Sequence, residues 1–106
     1  METEKTIKRN ELNVTEVRLS LYGKNGIIAF AEVILGNSLR LNDIAIKRTE
    51  EGKLFLSYPL KKTQSGSEYF YYNPISQEFG EQINNAIFDK LNEIRNEIYE
   101  TAKSFK

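Results

Sequence analysis

Between Val14 and Leu21 apolar and polar residues alternate. Val17, Leu19 and Leu21 fall on one side, Glu16, Arg18 and Ser20 on the other. A period of two is that of a strand with one buried face. The stretch GKNG, residues 23–26, reads as a turn with glycine at both ends. IIAFAEVIL, residues 27–35, is apolar at both parities except for Glu32. Such a strand belongs in the middle of a sheet or beneath a helix. Gly36, Asn37 and Ser38 form a second tight turn. In residues 39–47, Leu39 and Leu41 share one parity, whereas Ile44 and Ile46 share the other. A regular strand would aim the two pairs at opposite faces. One extra residue at Asn42 and Asp43 puts all four on one face, so the pattern predicts a β-bulge there. A strand buried on both faces is the alternative. RTEEG, residues 48–52, turns the chain into a fourth strand, residues 53–59. A polar loop, residues 60–68, leads to a fifth, residues 69–73, which ends at Pro74 because proline cannot donate to a ladder.

Beyond Pro74 the period changes. Phe79, Ile83, Ile87, Leu91, Ile94, Ile98, Ala102 and Phe105 recur at steps of three or four, a continuous helical stripe. Ser76 is a good N-cap, and Glu78 and Glu81 suit the positive end of the helix dipole. The pattern predicts one helix over about residues 76–104. At 1.5 Å per residue such a helix is about 40 Å long, whereas strands of seven to nine residues reach about 25–30 Å. The helix should overhang its own sheet. Leu91, Ile94, Ile98 and Phe105 on the overhang are spaced almost as a heptad, and a second copy of the same helix is the simplest partner for them. The predicted fold is α+β: an antiparallel meander of four to five strands followed by one long C-terminal helix, as a dimer. Residues 14–106 form the domain, and residues 1–13 read as a flexible arm.

Composition narrows the chemistry. A chain of 106 residues is one domain's worth. It has no cysteine and no histidine, which removes thiol chemistry, the softest metal ligands and the commonest general base. We expect no enzyme, metal, cofactor or small-molecule substrate. The charged start lacks the apolar core of a signal peptide, and the longest apolar run, IIAFA, is far too short to span a bilayer. A cytoplasmic protein is expected. Net charge is zero, so any nucleic-acid binding needs a local patch. Residues 14–72 hold eight lysines and arginines against six acids, whereas residues from Ser76 onward hold four against six. The sheet half is the basic half.

Several stretches together resemble one family. TEVRLSL in the first strand, LNDIAI in the third, GKLFLSYPLKKTQSG through the fourth and its loop, and YNPIS…FGEQINNAIFDKL into the helix are similar to the stage V sporulation protein G (SpoVG) family. That family's run is T-[DE]-V-R-[LI], [VI]-H-D-[IL], G-L-F-[VI]-x-[MY]-P, a basic [KR]-[KR]-T-x-x-G loop and H-P-[IV] before the terminal helix. The resemblance covers roughly residues 14–95 and rests on the order and spacing of five motifs. It implies a small bacterial α+β protein that dimerises and binds DNA and RNA, a regulator of the kind named for septation and sporulation. Asn42 and Asn73 stand where the family has the histidines of its H-D and H-P motifs. Asparagine keeps a hydrogen bond but does not titrate near neutrality.

The candidate contacts follow. Lys61 and Lys62 would meet phosphate, with Thr63, Ser65 and Ser67 as further donors. The plainer reading of the same loop is a solubilising hairpin tip. Lys47, Arg48 and Lys53 lie in or beside the last two connections, but in a meander the 48–52 turn and the 60–68 loop fall at opposite ends. Alternation puts Phe70 and Tyr72 on one face and Tyr69 and Tyr71 on the other. At least Phe70 or Tyr72 should be buried, and Tyr69 and Tyr71 are candidates for base stacking, with core or dimer packing as the alternative. Asp43 has no second acid nearby in sequence, so a hydrogen bond at the bulge is its expected role. Lys90, Arg95 and Lys103, flanked by Glu93, Glu97 and Glu100, read as a solvated, ion-paired helix face. The competing class is a protein-interaction or structural module assembled through the helix and sheet edges.

Overall fold

The computed structural model describes residues 12–104. Most of the predicted arm, and Phe105, lie outside the described residues. Strands β1 (Val14–Lys24), β2 (Ile27–Leu35), β3 (Leu39–Arg48) and β4 (Leu54–Ser57) form one antiparallel sheet in chain order. The hairpin turns carry the left-handed residues that tight turns require: Asn25 and Gly26 have φ of 56° and 77°, Gly36 and Asn37 of 54° and 55°. Two consecutive residues in this region match the right-handed twist of the flanking strands.

The bulge in β3 is present. Val33 faces Leu41 and Ala31 faces Ile44, so Asn42 and Asp43 together oppose Glu32 alone. Asp43 takes the strain with a φ of 68°. Leu41 and Ile44 consequently join the same core cluster. Strand β2 does lie inside the sheet, but only one of its faces is buried. Ala29, Ala31, Val33 and Leu35 are buried, whereas Phe30, Glu32 and Ile34 are half-buried. The helix covers one side of the sheet and leaves the other open.

Helix α1 (Gln77–Ser104) begins where Ser76 predicts it. The Ser76 Oγ accepts a hydrogen bond from the Phe79 amide at 3.2 Å, the N-cap geometry. Gln82 Oε1 accepts from the Val14 amide at 2.8 Å and fastens the helix to the start of β1. Ile83, Ile87 and Leu91 are buried against Val33, Ile44 and Ile46. At 1.5 Å per residue the 28-residue helix is about 42 Å long, against about 30 Å for the nine-residue β2. The stripe therefore runs out of sheet: Ile94 is half-buried and Ile98 is 55% exposed. Leu91, expected at a subunit interface, instead belongs to the core of its own chain.

The predicted fifth strand does not join the sheet. Its first part, β6 (Glu68–Phe70), pairs with β5 (Leu60–Lys62), a stretch that reads as loop in the sequence. Pro59 is the cause. It has no amide to continue the β3–β4 ladder, so the chain leaves the sheet after β4. The Pro59 carbonyl then accepts from the Tyr71 amide at 2.9 Å and closes the stem of a separate two-stranded hairpin.

Candidate nucleic-acid interface

The β5–β6 hairpin stands apart from the sheet, and every residue of both strands is exposed. Lys61 is directly opposite Tyr69, whereas Lys62 is opposite Glu68. Side chains of directly opposed residues share a face of the ribbon. One face thus pairs a cation with a ring; the other pairs a cation with an acid. Lys62 Nζ lies 3.3 Å from Glu68. Lys61 makes no ion pair among the described residues. Thr63 is not a spare donor. Its Oγ1 accepts from the Ser67 amide at 3.1 Å and lies 3.0 Å from Ser65 Oγ, and its backbone amide donates to the Ser67 carbonyl at 2.8 Å. These bonds, with Gly66 at φ 92°, hold the tip closed.

The rings of this region divide between surface and core. Tyr69 and Tyr71 are exposed, as base stacking needs, at 57% and 69%. Phe70 is also exposed, at 49%, because the ladder stops at Phe70 and alternation does not carry its side chain under the helix. Tyr72 alone turns inward. Its hydroxyl donates to the carbonyl of Asn42 in the β3 bulge, and its ring meets Tyr58 edge to face at 6.0 Å and 84°. Burial, then the Asp43 carboxylate and Tyr58, push the Tyr72 phenol up to about 12; burial also raises Tyr58. The stem of the basic hairpin is thereby anchored to the bulge. Asp43 acts there as a backbone and electrostatic element, and no group of three acids able to hold a metal occurs among the described residues. Asn73, the other replacement for a family histidine, donates from Nδ2 to the Pro74 carbonyl at 3.2 Å.

Lys47, Arg48 and Lys53 cluster at the far end of β4. Lys47 is opposite Phe55 and Arg48 opposite Leu54, where β4 begins, whereas Lys61 and Lys62 follow its end. One chain does not unite the two basic groups. On the helix, Lys90 lies 3.4 Å from Glu93, the ion-paired face expected of it.

The sheet's open face holds residues that sequence reasoning missed. Arg18 hydrogen-bonds Glu16 through Nε at 2.7 Å and approaches Glu32 at 3.5 Å, and Arg40 reaches Glu32 at 3.3 Å. The hydrogen bond from Arg18 holds the Glu16 carboxyl below its usual range. Beyond this network stand Tyr22 and Phe30, edge to face at 5.2 Å, and Phe55. Their signal was the second apolar face of β2, read as burial.

A four-stranded meander backed by a helix, with a basic hairpin held off its end, defines a small α+β domain. The SpoVG family model matches residues 12–93, from the start of β1 well into the helix, and the chain belongs to the SpoVG family. A provisionally named septation protein SpoVG of Clostridium perfringens is 31% identical over 86 residues, covering 80% of this chain and 94% of that protein. A protein of the same name from Clostridium novyi is 29% identical over 87 residues, covering 81% and 86%. No helix among the described residues is long and apolar enough to cross a membrane.

Proposed function

We propose that this chain is a non-enzymatic, cytoplasmic nucleic-acid-binding regulator of the SpoVG type that acts as a homodimer. The observation that carries the reading is the cross-strand pair of Lys61 and Tyr69 on an exposed hairpin. A cation beside a ring offers a phosphate partner and a base partner within one nucleotide's reach. Tyr71 extends the ring surface, and Lys62 reaches phosphate by exchanging Glu68 for it. Lys47, Arg48 and Lys53 form a second contact, brought into play by dimerisation. Ile98, exposed at 55%, supports pairing through the overhanging helix, with Ile94 beside it and Phe105 further along the predicted stripe. The same exposed residue favours a second reading, a protein-interaction module that binds no nucleic acid.

Mobility-shift titrations with random DNA and RNA pools at two salt concentrations separate these readings. Each phosphate neutralised contributes about 0.9 to the slope of log affinity against log salt on duplex DNA, and about 0.7 on single strands. Lys61→Ala should weaken binding and lower the slope by close to one, and Lys62→Ala should lower it by less because its ammonium already has a partner. Absence of any shift in the wild-type protein would leave the interaction module as the surviving reading.

A further inference from the structure

The helix covers one face of the sheet, and the other carries a defined arrangement of rings, small residues and cations. Along one row, Lys24 on β1 faces Ile27 on β2, Ile27 faces Lys47 on β3, and Lys47 faces Phe55 on β4. The next row runs Ser20, Phe30, Ala45, Ser57. Apart from Phe30 it consists of small side chains, and Ala45 is only 6% exposed. Tyr22 and Phe55, at 48% and 44% exposed, stand to either side of this low floor. Tyr22 is fixed by its edge contact with Phe30.

Charge on this face is divided. The acids Glu16 and Glu32 lie at its other end and are already engaged by Arg18 and Arg40, and Asp43 borders the same hollow as Arg18, Ser20 and Glu32. Lys24 and Lys47, among the rings, make no ion pair among the described residues. Two cations without an acid partner beside exposed rings suit a polyanion that carries rings of its own. A half-buried Phe30 ring among small side chains, with Tyr22 and Phe55 beyond it, suits the π-face of a base, and adjacent lysines suit the phosphates on either side. Bases in a duplex keep their faces stacked on one another, so only an unpaired strand can use such a floor.

We propose that the open face of the sheet is a stacking platform for unpaired bases, with Tyr22 and Phe55 as the contacting rings and Lys24 and Lys47 at the backbone. The inference rests on the nucleic-acid reading above and adds strandedness to it: the ligand is single-stranded DNA or RNA. It enlists Lys47 but is independent of the β5–β6 hairpin.

The test is fluorescence anisotropy of a labelled single-stranded oligonucleotide and of the same sequence as a duplex, with wild type, Tyr22→Ala, Phe55→Ala, Phe55→Tyr and Lys61→Ala/Lys62→Ala. Wild type should bind the single strand more tightly than the duplex. Each ring-to-alanine variant should lose about fivefold or more in single-strand affinity, the low end for one base stacked on a ring. Its salt slope should stay unchanged, because no ionic contact is removed, and Phe55→Tyr should bind as wild type does. Thermal melts confirm that these surface variants fold. Equal or tighter binding of duplex overturns the platform. So do alanine variants that bind the single strand normally, and so does a ring variant whose measured change is in molecular mass, since the face would then be a subunit interface. If the double lysine variant alone loses binding, the nucleic-acid reading stands and the platform falls. If wild type binds neither form, both fall.

Discussion

Truncating Leu91 and Ile98 to alanine, one at a time, separates the part of the helix that holds its own sheet from the part that faces outward. Leu91 is 3% exposed, and a buried Leu→Ala change costs about 2–5 kcal/mol in lost transfer energy and residual cavity. Leu91 closes one end of the buried run Ile83, Ile87, Leu91, and the next stripe position, Ile94, is already half-buried. A site at the edge of a core collapses more readily than one at its centre, which favours the lower half of that range, about 2–3 kcal/mol. For a domain of this size 1 kcal/mol moves the thermal midpoint by about 4–8 °C, so Leu91→Ala should melt roughly 10–20 °C below wild type. The loss belongs to one chain and should be the same at every protein concentration. Ile98 is 55% exposed, and its truncation in an isolated chain should stay within about 0.5 kcal/mol. In a helix-paired dimer, wild type gains stability with concentration by mass action, and Ile98→Ala should lose that gain. Circular dichroism melts over a concentration series, with sedimentation equilibrium against the chain mass of 12.3 kDa, read both effects. A Leu91→Ala protein that melts with wild type would refute the core assignment. A wild-type midpoint independent of concentration, with monomer mass throughout, would refute pairing through the overhang.

Two further outcomes concern the anchor between hairpin and bulge. Folded Tyr72 keeps its proton to about 12, whereas an unfolded tyrosine releases it near about 10. Between those values the unfolded state holds fewer protons, so stability should fall as pH rises from about 10 toward 12, and Tyr72→Phe should flatten this decline in thermal midpoints. A variant that declines as steeply as wild type would assign the effect to other groups. Asp43 holds a φ of 68°, a conformation glycine adopts without strain, so Asp43→Gly should leave stability unchanged or raise it by up to about 1 kcal/mol in urea titrations. A loss beyond about 1 kcal/mol would show that the carboxylate contributes more than its backbone conformation costs.

The elements that follow from period alone were legible before the structure. Alternation marks β1, the parity change between Leu41 and Ile44 marks the bulge, and the three-four spacing after Ser76 marks the helix and its cap. What was not legible depends on where a ladder stops. Residues 60–62 are two lysines and a leucine beside turn-forming residues, so composition reads them as loop, although Pro59 is a visible reason for the chain to leave the sheet. Of Phe70 and Tyr72, at least one of which was expected to be buried, only Tyr72 packs against the core, and Phe70 sits exposed in the last ladder pair opposite Leu60. The open face failed for a different reason. An apolar strand face looks the same whether a helix covers it or solvent does, and nothing in Phe30, Ile34 or Phe55 states which of the two it meets.

Zero net charge weighs less against nucleic-acid binding once the positions of the charges are known. Exposed charges act over about 8 Å at physiological salt, so what a phosphate feels is the nearest few side chains and not the sum over 106 residues. The acids of the sheet are placed so that they do not oppose the candidate cations equally. Glu16 and Glu32 are engaged by Arg18 and Arg40, and Glu68 holds Lys62. Lys61 on the hairpin, and Lys24 and Lys47 on the open face, are left beside rings instead of acids. Where cations stand beside rings, phosphate contact and stacking act on the same nucleotide, and stacking decides which strand stays bound. Two chains joined through their helices would double both terms at once, because the second set of contacts forms at the effective concentration set by the first. If the chain binds nucleic acid as a helix-joined pair, the overhanging helix, the separate hairpin and the uncovered sheet face would act together on one strand.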